Sequence, residues 1–105
     1  MDLPSGVTSH TAQTARLTTH WIESGPQDGV PVVLVHGNLS TGRFYEHVLP
    51  GAPGRFRFIA PDMRGYGKSD RPADISAYNQ VEVVNDIIGL IPALGYETAV
   101  VIGHD

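Results

Sequence analysis

The chain has 105 residues, of which 41% are hydrophobic and 17% charged, and its formal net charge is −4 at pH 7. This length accommodates one small domain, and the acidic balance offers no attraction for nucleic acid or an anionic membrane surface. The lack of cysteine excludes disulfides and thiolate metal sites. Without a signal-peptide pattern or an apolar run near the roughly 20 residues of a membrane span, we expect a cytoplasmic protein.

Strand patterns dominate the first half of the chain. Residues 7–21 are rich in threonine and roughly alternating, which predicts one or two antiparallel strands. The run 31–35 is apolar without alternation, which indicates a strand buried on both faces of a parallel sheet. We expect a helix over about 41–49, stopped by Pro50, and a further short strand over 57–60.

A helix and a last strand are predicted for the second half. From 76 to 94, apolar residues recur every three or four positions, which predicts an amphipathic helix with one face on a sheet. Its stripe comprises Val81, Val84, Ile88 and Ile91, broadened by Val83, Ile87, Leu90 and Leu94. Pro92 should disturb the last turn, and Gly95 is a natural left-handed stop. With a final strand over 98–102, the alternation predicts an α/β fold with a mainly parallel sheet.

Two short segments follow the buried strands, where the sites of open α/β sheets form. Residues 36–38 read His-Gly-Asn, and residues 103–105 read Gly-His-Asp. The second segment begins like the G-x-S-x-G turn that presents a nucleophile, with Asp105 in the place of the serine. The backbone N–H of Asn38 and its side-chain amide are candidate donors to the negative charge that such a nucleophile generates.

The neighbours of these residues are interpreted as structural. We expect His36 and Gly37 to shape the first loop, His36 as a buried hydrogen-bonded residue, and His104 to pack beside the nucleophile. In the loop 62–69, Asp62 and Arg64 are expected to tie the backbone together. The remaining histidines show no metal-ligand spacing, so no metal site is predicted; these are His10, His20 and His47.

Three motifs in order resemble the first half of an α/β-hydrolase. They are Val-Val-Leu-Val-His-Gly at 32–37, Asp-Met-Arg-Gly-Tyr-Gly-Lys-Ser at 62–69 and Val-Ile-Gly-His-Asp at 101–105. The aspartate after Gly-His resembles the epoxide hydrolase and haloalkane dehalogenase branch, and residues 78–105 are most similar to soluble epoxide hydrolases. The resemblance implies that residues 1–105 are the N-terminal part of a hydrolase catalytic domain that ends at the nucleophile.

The resemblance also implies a mechanism without a cofactor. Asp105 would attack a carbon of a small-molecule substrate and form an alkyl-enzyme ester, which a histidine-activated water would hydrolyse. Asn38 would bind the oxyanion or, in a dehalogenase, the halide. The catalytic histidine, its acidic partner and the cap domain of such enzymes lie after the nucleophile.

Other functions stay open. Leu39 stands where the epoxide hydrolases and dehalogenases usually have proline, and residues 36–40 with Arg43 and Phe44 resemble serine-dependent esterases or lactonases. In that alternative Asp105 replaces a serine. The further alternatives are a haloalkane dehalogenase and a non-catalytic binding protein with a hydrolase fold.

The remainder of the hydrolase is expected to accompany this chain as a second polypeptide. The strand before Asp105 would otherwise leave an apolar sheet edge exposed, which promotes aggregation. Cleavage of a longer precursor by attack of the Asp105 carboxylate on its own peptide bond would produce this arrangement, and a deliberate truncation is the alternative origin. The isolated chain is expected to be inactive.

Overall fold

A computed structural model describes residues 2–104 of the chain, and the structural statements below concern that part. The described strands form one five-stranded sheet in the order β1-β2-β4-β3-β5. They are β1 Thr8–Gln13, β2 Thr18–Ser24, β3 Val30–Val35, β4 Phe56–Pro61 and β5 Val100–Gly103. The α-helix α1, Gln80–Ala93, connects β4 to β5.

The sheet is antiparallel at one side and parallel at the other. β2 pairs antiparallel with both β1 and β4, whereas β3 pairs parallel with both β4 and β5. The predicted α/β fold is confirmed, and the strands predicted over 31–35, 57–60 and 98–102 are each observed within two residues of those bounds. The threonine-rich segment 7–21 forms the antiparallel hairpin β1–β2, whose second strand extends to Ser24.

The helix predicted over 41–49 is wrong. The chain there forms two short 3₁₀ turns, Gly42–Tyr45 and Leu49–Gly51. Backbone N–H groups bond three residues back, as from Phe44 to Thr41. The N–H of Gly42 instead donates to the Asp62 carboxylate at 2.7 Å, and a Cβ at Gly42 would overlap the carbonyl of Ala60. This anchoring to the sheet, together with the proline and glycine at 50 and 51, prevents a regular helix.

The helix predicted over 76–94 is observed as the shorter α1. The side chain of Asn79 accepts from the N–H of Glu82 at 3.0 Å and caps the helix, so residues 75–77 form a separate 3₁₀ turn. Gly95 follows the helix with φ +91°, the left-handed conformation that its sequence position predicts.

The apolar stripe predicted for α1 is buried in part. Ile87 and Leu90 are buried, while Val84 and Ile88 of the predicted stripe are exposed. Asp86 is buried on the same side of the helix as Ile87 and Leu90. Its carboxylate binds Arg16 of the β1–β2 turn and Arg64 of the loop after β4, so this ionic contact forms part of the inward face of α1.

The core lies on both faces of the sheet. One cluster includes Ile22, Leu34 and Leu49, and the other joins Ile59 of β4 to Leu90 of α1. Burying apolar side chains of this size is worth about 1.5–3 kcal/mol each. Together the two clusters contain residues of β2, β3 and β4, the three inner strands of the sheet.

The surface formed by β5 and the outward side of α1 is apolar and uncovered. Val101 of β5 is 52% exposed and Ile88 of α1 is 57% exposed. Their neighbours line a shallow apolar groove of about 310 Å³ between the helix and the strand. In residues 2–104, no helix has the length and apolarity required to traverse a lipid bilayer.

Candidate active site

The parallel pairing of β3 and β5 brings the two predicted site segments together. Val35 at the end of β3 is the register partner of Gly103 at the end of β5. Beyond them, the N–H of His104 donates to the carbonyl of Val35 at 3.1 Å. Residues 36–38 therefore lie beside residues 103 and 104 at one edge of the sheet. Asp105, the predicted nucleophile, lies outside the described residues.

His36 is a structural residue of the first loop. It is buried, and its Nε2 accepts a hydrogen bond from the N–H of Met63 at 3.0 Å. Its Nδ1 lies 2.8 Å from the carbonyl oxygen of Gly37. A neutral imidazole protonated on Nδ1 satisfies both contacts. Since both nitrogens are occupied, His36 fixes the β3 loop to the β4 loop and has no free nitrogen with which to act as a base.

Asn38 is exposed, and its amide is oriented by Tyr66. The Tyr66 hydroxyl donates to Oδ1 of Asn38 at 2.6 Å. This contact leaves the amide N–H groups of Asn38 without a partner in the part of the chain that the structure describes, so they are available to a ligand. Leu39 follows with φ +57° and is 88% exposed. A leucine rarely adopts this left-handed conformation, and such strain is concentrated at functional loops.

His104 packs against an aromatic wall. Its ring stacks on Phe44 with centroids 4.9 Å apart, and Phe44 in turn meets Tyr45 edge to face. The hydroxyl of Tyr45 donates to the Val35 carbonyl at 2.8 Å. Burial raises the pKa of Tyr45, so this phenol stays protonated and keeps its donor role. The aromatic pair thereby supports the end of β3 and the residue before the predicted nucleophile.

A cavity of about 450 Å³ opens next to Asn38. Tyr66, Tyr78 and Val84 line it together with Asn38, and its other polar lining residues are Arg64, Asn79 and Gln80. A mostly apolar cavity with a few polar groups is the usual form of a small-molecule site.

Asp62 organises the loop behind the site, as the sequence predicts, but Arg64 has a different role. Asp62 accepts from the backbone N–H of Gly42 at 2.7 Å and of Lys68 at 2.9 Å. A Cβ at Gly67 would overlap the Asp62 carboxylate, so only glycine fits there. Arg64 does not pair with Asp62: it binds Asp86 of α1 through two nitrogens, each at 2.6 Å. The fork of the guanidinium favours this two-point contact with a helix carboxylate.

Two aromatic residues contact the site residues but were not predicted to do so. Tyr66 orients Asn38 and lies edge to face on His36, and Phe44 supports His104. A bulky aromatic between Gly65 and Gly67 was the available signal for Tyr66, because flanking glycines let such a ring approach a loop closely. In residues 2–104, no three His, Asp or Glu side chains converge to hold a metal ion.

Comparisons with known proteins identify the architecture. A family model described as the alpha/beta hydrolase fold matches residues 30–105. An epoxide hydrolase of Caballeronia sordidicola is 38% identical over 105 residues, covering 99% of this chain and 31% of the relative. A haloalkane dehalogenase of Mycobacterium marinum is 40% identical over 72 residues, covering 68% of this chain and 24% of the relative.

Solved structures give the same result. An epoxide hydrolase from an endophytic Streptomyces superposes with a TM-score of 0.89 at 37% identity, covering 97% of this chain and 30% of that chain. An epoxide hydrolase from Vigna radiata superposes with a TM-score of 0.87 at 31% identity, covering 95% and 32%. The chain spans about a third of the length of these solved relatives.

Proposed function

This chain belongs to the α/β-hydrolase fold family, and from that premise we propose that it supplies the nucleophile and part of the oxyanion pocket of an epoxide hydrolase. The observation that carries the proposal is the pairing of Val35 with Gly103, which sets the Asn38 loop beside the residue that precedes Asp105. The relatives named epoxide hydrolase at 37–38% identity support the choice of substrate class.

In the first step, a carboxylate oxygen of Asp105 attacks an epoxide carbon. A carbon–oxygen bond forms to the enzyme and the epoxide carbon–oxygen bond breaks, while an acid beyond this chain protonates the released oxygen. In the second step, water attacks the carbonyl carbon of the ester, the diol leaves and the Asp105 carboxylate is restored. The donors of Asn38 are suited to stabilise the oxyanion of the second step.

A second candidate is the displacement of halide from a haloalkane by the same carboxylate. The supporting observation is the free amide N–H pair of Asn38 beside an apolar cavity, together with the relative named haloalkane dehalogenase. Here the carbon–halogen bond breaks and the halide accepts the Asn38 hydrogen bonds. The ester and its hydrolysis are the same as for the epoxide.

We further propose that additional hydrolase polypeptide, in the same chain or a second one, covers the surface formed by β5 and α1. Strand β5 is an exposed edge, and Val100, Val101 and Ile102 are all about half exposed. Uncovered apolar edges of this kind favour association with another strand. The relatives with which this chain superposes are about three times longer, so they contain polypeptide for such a role.

The proposal is tested by steady-state hydrolysis of an aryl epoxide and a chloroalkane by this chain together with the polypeptide that completes the fold. Asp105→Ala is expected to abolish diol formation, whereas Asp28→Asn, an exposed control in the turn before β3, leaves it unchanged. Turnover of the chloroalkane alone favours the dehalogenase. Asp105→Ser with a panel of esters tests the esterase alternative, and binding of substrate without turnover by the unmodified protein supports the non-catalytic one.

A further inference from the structure

A chain of hydrogen bonds joins Ser9, His20 and Asp62 on the far side of the sheet from β5. The Ser9 Oγ lies 2.6 Å from Nε2 of His20. The Nδ1 of the same imidazole lies 2.7 Å from Oδ2 of Asp62. His20 and Asp62 are buried, whereas Ser9 is exposed on β1. Serine hydrolases have the same order of groups: a hydroxyl, a base and a carboxylate that orients the base. Such a triad is recognised by its geometry and not by the sequence positions of its members.

Backbone contacts fix the orientation of the Asp62 carboxylate. Its Oδ1 accepts from the N–H of Gly42 at 2.7 Å, and its Oδ2 also accepts from the N–H of Lys68 at 2.9 Å. The carboxylate therefore remains in place to receive Nδ1–H of His20, which leaves Nε2 as the acceptor that faces Ser9. The hydroxyl of Ser9 is therefore the exposed end of the hydrogen-bond chain, and His20 and Asp62 are its buried members.

The three residues border a cleft of about 630 Å³. Its charged lining has both signs: Lys68 and Arg43 stand against Asp2, and Arg43 is paired with Glu46. Val7 and Ile22 line the apolar part. The cleft is separate from the cavity next to Asn38, with which it shares no lining residue. Its volume and mixed lining suit a small acyl group.

We propose that Ser9 is a second nucleophile of this protein and accepts acyl groups from small esters, with His20 as its base and Asp62 as the residue that positions the base. The reaction at Ser9 does not require Asp105, and neither Ser9 nor His20 lines the cavity next to Asn38.

The chemistry balances without a cofactor. Ser9 Oγ attacks the acyl carbon and forms the tetrahedral intermediate, while the hydroxyl proton passes to Nε2 of His20. The bond from the acyl carbon to the leaving oxygen then breaks, and the alcohol leaves with the proton from His20. Water attacks the acyl-serine, gives its proton to His20, and returns the Ser9 hydroxyl as the carboxylic acid departs.

A neighbouring pair provides an internal control. The hydroxyl of Thr8 lies 2.7 Å from Nε2 of His10, a distance close to that of the Ser9 pair. In the described part of the chain, Nδ1 of His10 has no carboxylate partner; Glu23 approaches the other nitrogen, at 3.7 Å. If proximity to an imidazole were sufficient, Thr8 would react like Ser9.

The test is covalent labelling with a fluorophosphonate in an Asp105→Ala background, followed by peptide mass spectrometry. We expect one label per chain on Ser9, no label on Thr8 or on the exposed Ser5, and loss of the label in Ser9→Ala. Absence of label from Ser9, or equal labelling of Ser5 and Ser9, would overturn the proposal. Epoxide turnover is assayed separately, so a negative result for Ser9 can be told apart from a negative result for Asp105.

Two further readouts separate reactivity from folding. His20→Gln should abolish labelling in a sample whose circular dichroism shows a retained fold. Ser9→Thr, a substitution at an exposed strand position, should label at least about tenfold more slowly. Release of p-nitrophenol from p-nitrophenyl acetate, corrected for spontaneous hydrolysis, should decrease at least about tenfold in Ser9→Ala and be unchanged in Thr8→Val. Equal corrected rates for Ser9→Ala and the parent chain contradict the proposal.

Discussion

The side of the sheet from β1 to β3 and the side formed by β5 and α1 differ in how their surfaces are completed. On the first side, buried polar groups are satisfied: Glu23 is bound by Arg57, and Asp62 by three donors. On the second side, apolar side chains such as Ile88 and Val101 face outward. The first side, called the finished side below, therefore has the paired polar groups of a solvent-exposed surface. The second side has the apolar composition of a protein interior.

The difference shows which contacts hold the site. The loop that carries Asn38 is fixed by His36 and Tyr66, both of which belong to the finished side. His104, the residue before Asp105, directly follows β5, whose residues are all exposed. We infer that the Asn38 loop is preformed and that the nucleophile loop depends on whatever covers β5 and α1.

The largest effect is expected from breaking the ion pair that connects α1 to the finished side. Asp86→Ala removes the carboxylate bound by Arg64 and Arg16 and leaves a buried guanidinium without its partner. Loss of one member of a buried pair costs about 3–5 kcal/mol. Urea unfolding should show this loss, and Asp28→Asn in the exposed turn before β3 is the control. Unchanged stability would mean that the ion pairs of Asp86 do not hold α1 against the finished side.

Adjacent isoleucines of α1 test the contrast between interior and exposed surface directly. Ile87 is 9% exposed and Ile88 is 57% exposed. Ile87→Ala should reduce the free energy of unfolding by about 2–5 kcal/mol, whereas Ile88→Ala should change it by less than about 0.5 kcal/mol. In the protein with its complete hydrolase fold, both substitutions should reduce the free energy of unfolding. Equal effects in this chain alone would mean that Ile88 is already covered.

Asn38→Ala is expected to reduce turnover more than stability. The exposed amide contributes little to folding, but loss of an oxyanion donor costs about 10²–10³ in kcat. Tyr66→Phe leaves Asn38 in place but unoriented, so a smaller reduction in kcat is expected. Steady-state kinetics and thermal unfolding of both variants distinguish the roles. A reduced Tm with full kcat would make Asn38 a loop residue only.

The smallest effect is the pH dependence contributed by Glu23. Burial opposes its ionisation, but hydrogen bonds from Arg57 and Trp21 outweigh burial, and the pKa of Glu23 lies below its usual value. Because the folded pKa is lowered, its stabilisation is complete above the ordinary value of 4.5 and is lost as pH falls through the folded pKa. Unfolding midpoints from about pH 7 to pH 3 should decline less steeply in Glu23→Gln than in the parent chain.

The strand pattern and the two loop motifs could be predicted from sequence because each depends on local periodicity and turn chemistry. The strand over 31–35 is an example, since unbroken β-branched residues are typical of a parallel strand covered on both faces. The segment 41–49 could not be predicted, because the carboxylate of Asp62 that captures Gly42 is distant in sequence. The inward position of Asp86 on α1 could not be predicted for the same reason: its partners Arg16 and Arg64 are distant in sequence.

The site residues divide in the same way into those that local sequence predicts and those that depend on distant residues. The positions of Asn38 and His104 follow from the strands that precede them, but the partners Tyr66 and Phe44 come from other loops. No periodicity connects those residues. Their contacts become visible only when the sheet sets the loops side by side.

The most direct test of Asp105 as the nucleophile is a single-turnover reaction in H₂¹⁸O with enzyme in excess over epoxide. An alkyl-enzyme ester transfers a carboxylate oxygen to the diol, so the first diol should contain no ¹⁸O. The label should instead appear in the peptide that contains Asp105, because water attacks the ester carbonyl. Appearance of ¹⁸O in the first diol, with an unlabelled Asp105 peptide, would mean direct attack of water on the epoxide and would contradict the proposed role of Asp105.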